Sequence, residues 1–195
     1  MILLKLGIMV LNVMIRHFPS MTFKKVGRSF YTSQGSQAIF GGVEVWQGYF
    51  QSVRITQGRM MINVDSSGSA FYESGSLIRM VIKLLGKQGP DDLRRGIQER
   101  DRVKLEKALK NVKIRVTHRE NVSARSFKIV KLTNTSASAT KFEIEGKKID
   151  VASYFQRTYG RPLQYPYLPC VVVRKDTVLP IEVCEVVEVC KYTNV

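Results

Sequence analysis

Histidine is nearly absent from this 195-residue chain, which holds only His17 and His118, far apart. No G-x-S-x-G elbow, HExxH or P-loop occurs, so the familiar routes to acyl transfer, zinc hydrolysis and nucleotide hydrolysis have no residues to run on. Cysteine is scarce as well. Cys170, Cys184 and Cys190 are odd in number and form no CxxC, which argues against a disulfide framework or zinc knuckle and fits reduced thiols in a cytosolic or nuclear protein. Long apolar runs are missing too. The N-terminal MILLKLGIMVLNVMIRHF is greasy, but its longest charge-free stretch, Leu6 to Ile15, includes Asn12 and falls well short of the ~20 residues that span a bilayer. Lys5 interrupts the run and no A-x-A-like site follows, so neither a membrane span nor a signal peptide is expected; an amphipathic helix packed on a neighbour is.

Acidic residues are the last scarcity. Sixteen Asp and Glu stand against 31 Lys and Arg, a net charge of +15 and a pI near 9.9. A domain this basic is usually built to meet phosphate, in nucleic acid or at a lipid surface. The charge is also uneven. Residues 100–131 carry eleven basic and three acidic side chains, whereas residues 176–190 carry four acidic and no basic ones, as expected of a protein with one phosphate-facing side. Glu44, Asp65 and Glu73 are near one another in sequence but read as solvent-facing, and no set of convergent ligands can be named. No metal, no cofactor and no catalysis by the chain itself are expected.

Ordinary residues fill the rest. Hydrophobic residues make up 44% and charged residues 24%, the balance of a packed domain, alone or with a stalk. Residues 38–65 read as β structure: IFGGVEVWQGYFQSVRI mixes aromatic and β-branched residues, and RMMINVD alternates, with SSGSA as a loop. Ser76 is placed to cap a helix with Leu77, Met80, Val81, Leu84 and Leu85 on one face, ended by Gly86. A basic helix over 99–110 has Val103, Leu105 and Leu109 as its few apolar contacts. The period then changes to two: in VKIRVTH, Val112, Ile114 and Val116 share one face, and His118 has their parity. ARSFKIVKL reads as one strand, NTSASAT as a turn and KFEIE as a short strand. Asp150 is a good N-cap for VASYFQRTY, with Gly160 as its stop. CVVVRK reads as a buried strand; LPIEVCEVVEV fits strand or helix. Many short strands with one short helix between them predict a small barrel in an α+β arrangement.

The stretch DVASYFQRTYGRPLQYPYLPC concentrates four of the eight tyrosines, Tyr154, Tyr159, Tyr165 and Tyr167, with Phe155 among them. Single-stranded nucleic acid is held by a basic groove and aromatic platforms, each stacked base worth ~1–3 kcal/mol. A tyrosine serves twice, its ring packing on a base or ribose and its hydroxyl donating to a phosphate. Arg125 offers a planar fork and His118 a ring nitrogen. The plainer alternatives are that Tyr154 is a core ring, that Phe155 and Tyr159, four apart, form a packing stripe, that His118 is a half-buried structural residue, and that the basic helix is a solvated face.

VGRSFYTS, GGVEVWQGYFQSVR and RMMINVDSSGSAFY resemble the first linker region of Argonaute proteins. VKIRVTH, ARSFKIVKLT, YFQRTYGRPLQYPYLPC and LPIEVCEV resemble the PAZ domain, and the linker segment favours Argonaute over Dicer. The resemblance runs in order over nearly the whole chain. It implies a linker (stalk) over 1–75 that keeps the last helix of an upstream domain, then a PAZ domain over 76–195: an OB-like barrel whose α/β-hairpin insertion closes over a cleft. It implies a module that anchors the 3′ end of a small guide RNA, or the two-nucleotide 3′ overhang of an siRNA duplex. The family's pocket falls on His118, Arg125, Phe127, Phe142, Tyr154, Tyr159 and Leu179. His118, Arg125, Tyr154 and Tyr159 would contact the terminal phosphodiester, Phe142 would stack near the last base, and Leu179 would pack on the terminal ribose, while Tyr165 and Tyr167 would hold the following turn.

Three positions depart from the family's pattern. Phe127 stands where a tyrosine is common, Thr158 where a basic residue is, and Tyr167 where a histidine is. Losing one hydroxyl contact at Phe127 costs about 1 kcal/mol, roughly five-fold in affinity. Nothing in the chain resembles the region that holds a guide's 5′ phosphate or the RNase H-like slicing domain. The expectation is therefore an Argonaute fragment, a truncated gene product or a stand-alone derivative whose partners are RNA 3′ ends, with the remaining Argonaute domains or silencing-complex proteins beside them, and no membrane. The alternative is a scaffold that kept the fold and lost useful RNA affinity.

Overall fold

A computed structural model describes residues 2–118, 125–144, 147–174 and 177–192. The chain divides into two compact units, Met1–Ile39 with Val43–Phe71, and Phe40–Gly42 with Tyr72–Val195.

In the first unit, α1 (Ile2–Thr22) is followed by β1 (Lys24–Val26), β2 (Ser29–Phe40), β3 (Val43–Thr56) and β4 (Arg59–Tyr72), which lie side by side in that order. Gly41 and Gly42, with φ of 62° and 77°, make the two-residue turn between β2 and β3 that side chains with a Cβ resist. The helix is tied to β3 by polar groups: Val53 N–H donates to Asn12 Oδ1 at 2.9 Å, and Gln51 Nε2 donates to the Ile15 carbonyl at 2.6 Å. Under the sheet, Trp46 stacks on Phe71 at 4.4 Å and Tyr31 meets Phe71 edge-on at 5.3 Å. β4 runs straight through SSGSA instead of looping there. Its small residues have work to do in a strand: Ser67 Oγ bonds the Tyr31 hydroxyl at 3.0 Å. Glu44 is not solvent-facing as its strand position suggests; it accepts from Trp46 Nε1 at 2.7 Å and Ser36 Oγ at 2.8 Å.

The second unit contains β5 (Gly75–Ser76), α2 (Leu77–Leu85), α3 (Glu99–Leu109), β6 (Lys113–Val116), β7 (Phe127–Lys128), β8 (Lys131–Ser136), β9 (Lys141–Ile144), β10 (Lys147–Asp150), α4 (Val151–Tyr159), β11 (Pro169–Arg174), β12 (Thr177–Pro180), β13 (Cys184–Val186) and β14 (Cys190–Lys191). Leu77, Met80, Val81 and Leu84 of α2 are buried, and Gly86 closes the helix at φ 64°. Ser76 makes no cap with its side chain, because it is a strand residue opposite Glu185. In α3, Leu105 and Leu109 are fully buried while Val103 is exposed; three apolar positions cannot all face inward when one lies off the i, i+4 stripe.

The barrel strands form a four-stranded sheet, β5-β13-β6-β7, and a three-stranded sheet, β12-β11-β8, with β10-β9 as a separate hairpin. Among the described residues they do not close into one barrel. The expected single strand ARSFKIVKL is split at the handover between the sheets. Ile129 N–H bonds the Val112 carbonyl at 3.0 Å, and the next residue, Val130, bonds the Val172 carbonyl at 2.8 Å. NTSASAT begins as strand, since β8 continues to Ser136. The closing LPIEVCEVVEV is neither one strand nor one helix: β12 ends at Pro180, Ile181–Val183 make a single 3-10 turn, and β13 follows. Val112, Ile114 and Val116 are buried as their alternation requires.

Candidate functional site

The β9–β10 hairpin leads directly into α4. Asp150 ends the hairpin opposite Lys141 and then caps the helix, its carboxylate accepting from Ser153 N–H at 2.8 Å. That bond holds its carboxyl below the usual carboxylate range. Gly160 ends the helix in the left-handed region, φ 64°, leaving nine residues with two distinct faces. Val151 and Phe155 are buried against Ala137 and Cys170, and Tyr154 and Tyr159 pack at the edge of the same cluster.

His118, at the end of the segment that β6 begins, reaches this edge. Its ring lies 4.6 Å from Tyr159 and 5.0 Å from Phe155, both edge-on. Phe142 from β9 meets Tyr154 at 5.3 Å, and Tyr154 meets Tyr159 at 6.1 Å. The rings border a cavity of about 180 Å³ whose remaining wall, among the described residues, is Val151 and the consecutive Thr177, Val178 and Leu179 of β12. Edge-on contacts set the rim of one ring against the face of another, so these rings are not stacked on one another. The Tyr154 hydroxyl has no hydrogen-bond partner among the described residues. The described lining contains no carboxylate and no thiol; it offers ring faces, hydroxyls and one imidazole.

Five of the seven residues carried by the resemblance therefore share one pocket: His118, Phe142, Tyr154, Tyr159 and Leu179. Leu179 contributes a small exposed edge, being 8% exposed. Arg125 and Phe127 do not line it. Arg125 is exposed. Phe127 is half-buried opposite Ile114, with the Arg174 guanidinium 6.0 Å from its ring. Val151, Phe155, Thr177 and Val178 line the pocket and were not expected to. The four-residue spacing of Phe155 and Tyr159 was the available sign for Phe155; three consecutive strand residues on one cavity leave no periodic trace. Tyr165 and Tyr167 lie elsewhere: the Tyr167 hydroxyl donates to the Pro90 carbonyl at 3.1 Å, and the Tyr165 N–H donates to Glu182 at 2.7 Å. Among the described residues no His, Cys, Asp or Glu cluster could hold a metal ion, and no helix is long and apolar enough to cross a membrane.

Comparison with known proteins gives this pocket a context. Residues 25–73 match the Argonaute linker 1 domain and residues 81–195 match the PAZ domain. Among curated proteins, argonaute 1C of Oryza sativa subsp. japonica is 37% identical over 96% of this chain and 19% of its own length, and argonaute 1D from the same source is 38% identical over 96% and 18%. The chain thus spans about a fifth of these relatives. A Kluyveromyces polysporus Argonaute solved with a guide RNA shares the fold, with a TM-score of 0.65 and 20% identity over 88% of this chain and 22% of that one. The chain belongs to the Argonaute family and carries its linker 1 and PAZ domain.

Proposed function

We propose that the α4 pocket receives the 3′-terminal nucleotides of a small RNA, acting as a binding module rather than a site of bond making. The observation that carries this reading is the convergence of His118, Phe142, Tyr154 and Tyr159 on one open cavity, from three separate elements. Ring faces suit a base or ribose, phenol hydroxyls and an imidazole suit phosphate oxygens, and a short cavity suits a strand end rather than a strand passing through. The open Tyr154 hydroxyl is a donor waiting for an acceptor. The basic surface adds attraction that falls with salt and does not discriminate ends.

The test is affinity for a duplex with a two-nucleotide 3′ overhang against the same duplex made blunt. The overhang duplex binds more tightly, and Tyr154→Ala with Tyr159→Ala erases the difference while leaving salt-sensitive residual binding. Equal affinity of the unmodified protein for both duplexes overturns the proposal. Absence of any saturable binding at physiological salt favours a scaffold that has lost its RNA affinity.

A further inference from the structure

The first unit has a charge problem of its own. Its side-chain carboxylates are Glu44 and Asp65 alone, and both are engaged, Glu44 by Trp46 and Ser36 and Asp65 by Asn63 Nδ2 at 2.7 Å. Two arginines nevertheless converge. The Arg16 guanidinium lies 5.2 Å and the Arg28 guanidinium 5.8 Å from the centre of one ring, Phe50. Arg16 donates through Nη2 to the Gln51 carbonyl at 3.3 Å, but its Nε is shut off from solvent with no acceptor among the described residues. Neither guanidinium has a carboxylate partner among the described residues. Arg16 also borders a cavity of about 270 Å³ together with His17, Ser20 and Lys25. Aromatic contact offsets part of the cost of desolvating a guanidinium, but it does not neutralise two like charges drawn to one ring, and an anion does.

We infer that the first unit carries a phosphate-binding site, formed by Arg16 and Arg28 at Phe50 with Lys25 and His17 sharing a cavity with Arg16, and that its ligand is the backbone of an RNA strand rather than a strand end. Arginine forks present parallel N–H groups to phosphate oxygens and stack on rings. Arg28 and Lys25 are exposed and Arg16 is half-buried, and three cations within one short stretch of surface suit a polyanion whose counterions are released on binding. The α4 pocket plays no part in this site, and the inference stands without it.

The measurement uses a circular single-stranded RNA, which has no 3′ end, and the full chain. The slope of log affinity against log salt is compared for the unmodified protein, Arg16→Ala with Arg28→Ala, and a charge-matched control in the same unit, Arg54→Ala with Arg59→Ala, both exposed. Each lost phosphate contact on a single strand reduces the slope by ~0.7. The Arg16 and Arg28 pair is expected to flatten it by about 1.4, and the control by less than half of that. Arg28→Ala alone leaves the Arg16–Gln51 bond in place and is expected to flatten it by ~0.7, which guards against loss of folding. A slope unchanged by the pair, or changed equally by the control, overturns the inference. So does displacement of the RNA by inorganic phosphate at matched ionic strength, which marks a small-ion pocket. An equal loss of affinity for poly-glutamate marks an acidic protein surface as the ligand and overturns it as well. Tyr154→Ala with Tyr159→Ala leaves the slope for circular RNA unchanged, so failure at the α4 pocket and failure here give different results.

Discussion

Among the described residues, the second unit encloses nearly all of its large apolar side chains, leaving Val103 and Val130 as exceptions along with Phe40 at its edge, whereas the first leaves many of its own in the open. Along α1, Leu3, Leu4, Met9, Val13, Met14 and Phe18 are exposed, and on β4 the neighbours Met60, Met61 and Ile62 are exposed although successive strand residues point to opposite faces. The second unit is held by a core that seals on itself and stops at a pocket. The first is held by long ladders, a small aromatic core around Phe71, and polar clamps from α1. A lost side chain therefore matters most in the second unit, and a lost close approach matters most in the first.

The largest expected effect follows from the sealed core. Phe155 is 3% exposed and touches His118, Tyr154 and Tyr159 as well as the cluster beneath. Phe155→Ala should cost ~3–5 kcal/mol in denaturant unfolding. The loss should appear in amide exchange of the second unit, while the fluorescence of Trp46, the chain's one tryptophan and part of the first unit, keeps its midpoint more nearly. In the first unit the counterpart is Gly48. A Cβ there would lie 2.3 Å from the Phe30 carbonyl oxygen and 2.4 Å from the Tyr31 ring. Backbone cannot yield as a side-chain tip can, so Gly48→Ala should cost ~1–3 kcal/mol and lower the Trp46 midpoint directly. If both substitutions moved both probes equally, the two units would unfold as one and the contrast would fail.

The same contrast explains what was legible in the sequence. Alternation at Val112, Ile114 and Val116, the apolar stripe of α2 and the Asp150 and Gly160 boundaries of α4 are local patterns that a sealed core enforces, and each stands in the structure. Val103 and Ser76 misled because helical apolar content and a capping residue type are properties of a segment alone, while burial and strand pairing with Glu185 are set by distant chain. The pocket was legible in part. His118, Phe142, Tyr154, Tyr159 and Leu179, five of the seven residues named by the resemblance, border one cavity and come from segments far apart in sequence, which composition and spacing could not have assembled. The strand break at Ile129 and Val130 left no sign, since it depends on which carbonyl, Val112 or Val172, each N–H finds.

A smaller effect tests whether α4 is as independent of its surroundings as its caps suggest. Asp150→Ala removes the Ser153 bond and should cost about 1 kcal/mol. Because the folded-state pKa of Asp150 is lowered by that bond, its stabilisation is complete above the unfolded carboxyl value of about 3.9 and is lost as pH falls through the lower folded value. The stability gap between the unmodified protein and Asp150→Ala should thus be constant near neutrality and close below about pH 4. Asp150→Asn keeps a capping oxygen without the charge, and its stability should lie close to the unmodified protein at neutral pH while losing this share of the acid dependence. A gap that stayed open at low pH would show that the carboxylate acts through something other than the helix N–H.

The smallest effect concerns Phe127, where the family's pattern and this chain's geometry pull apart. The pattern assigns the position a hydroxyl facing the strand end, which makes Phe127→Tyr a repair worth roughly five-fold in affinity, one neutral hydrogen bond. The geometry places the ring on β7 opposite Ile114, under the Arg174 guanidinium and outside the pocket wall formed by His118, α4, β9 and β12. A hydroxyl added there lengthens a ring already engaged with a cation and does not add to the cavity's donors. Phe127→Tyr should therefore change affinity for an overhang duplex by less than about two-fold, under ~0.5 kcal/mol, with no change in the overhang-over-blunt preference. A gain near five-fold confined to the overhang duplex would move Phe127 into the binding surface and extend the site from α4 across to β7, and Arg174, already beside that ring, would then be the next residue to substitute.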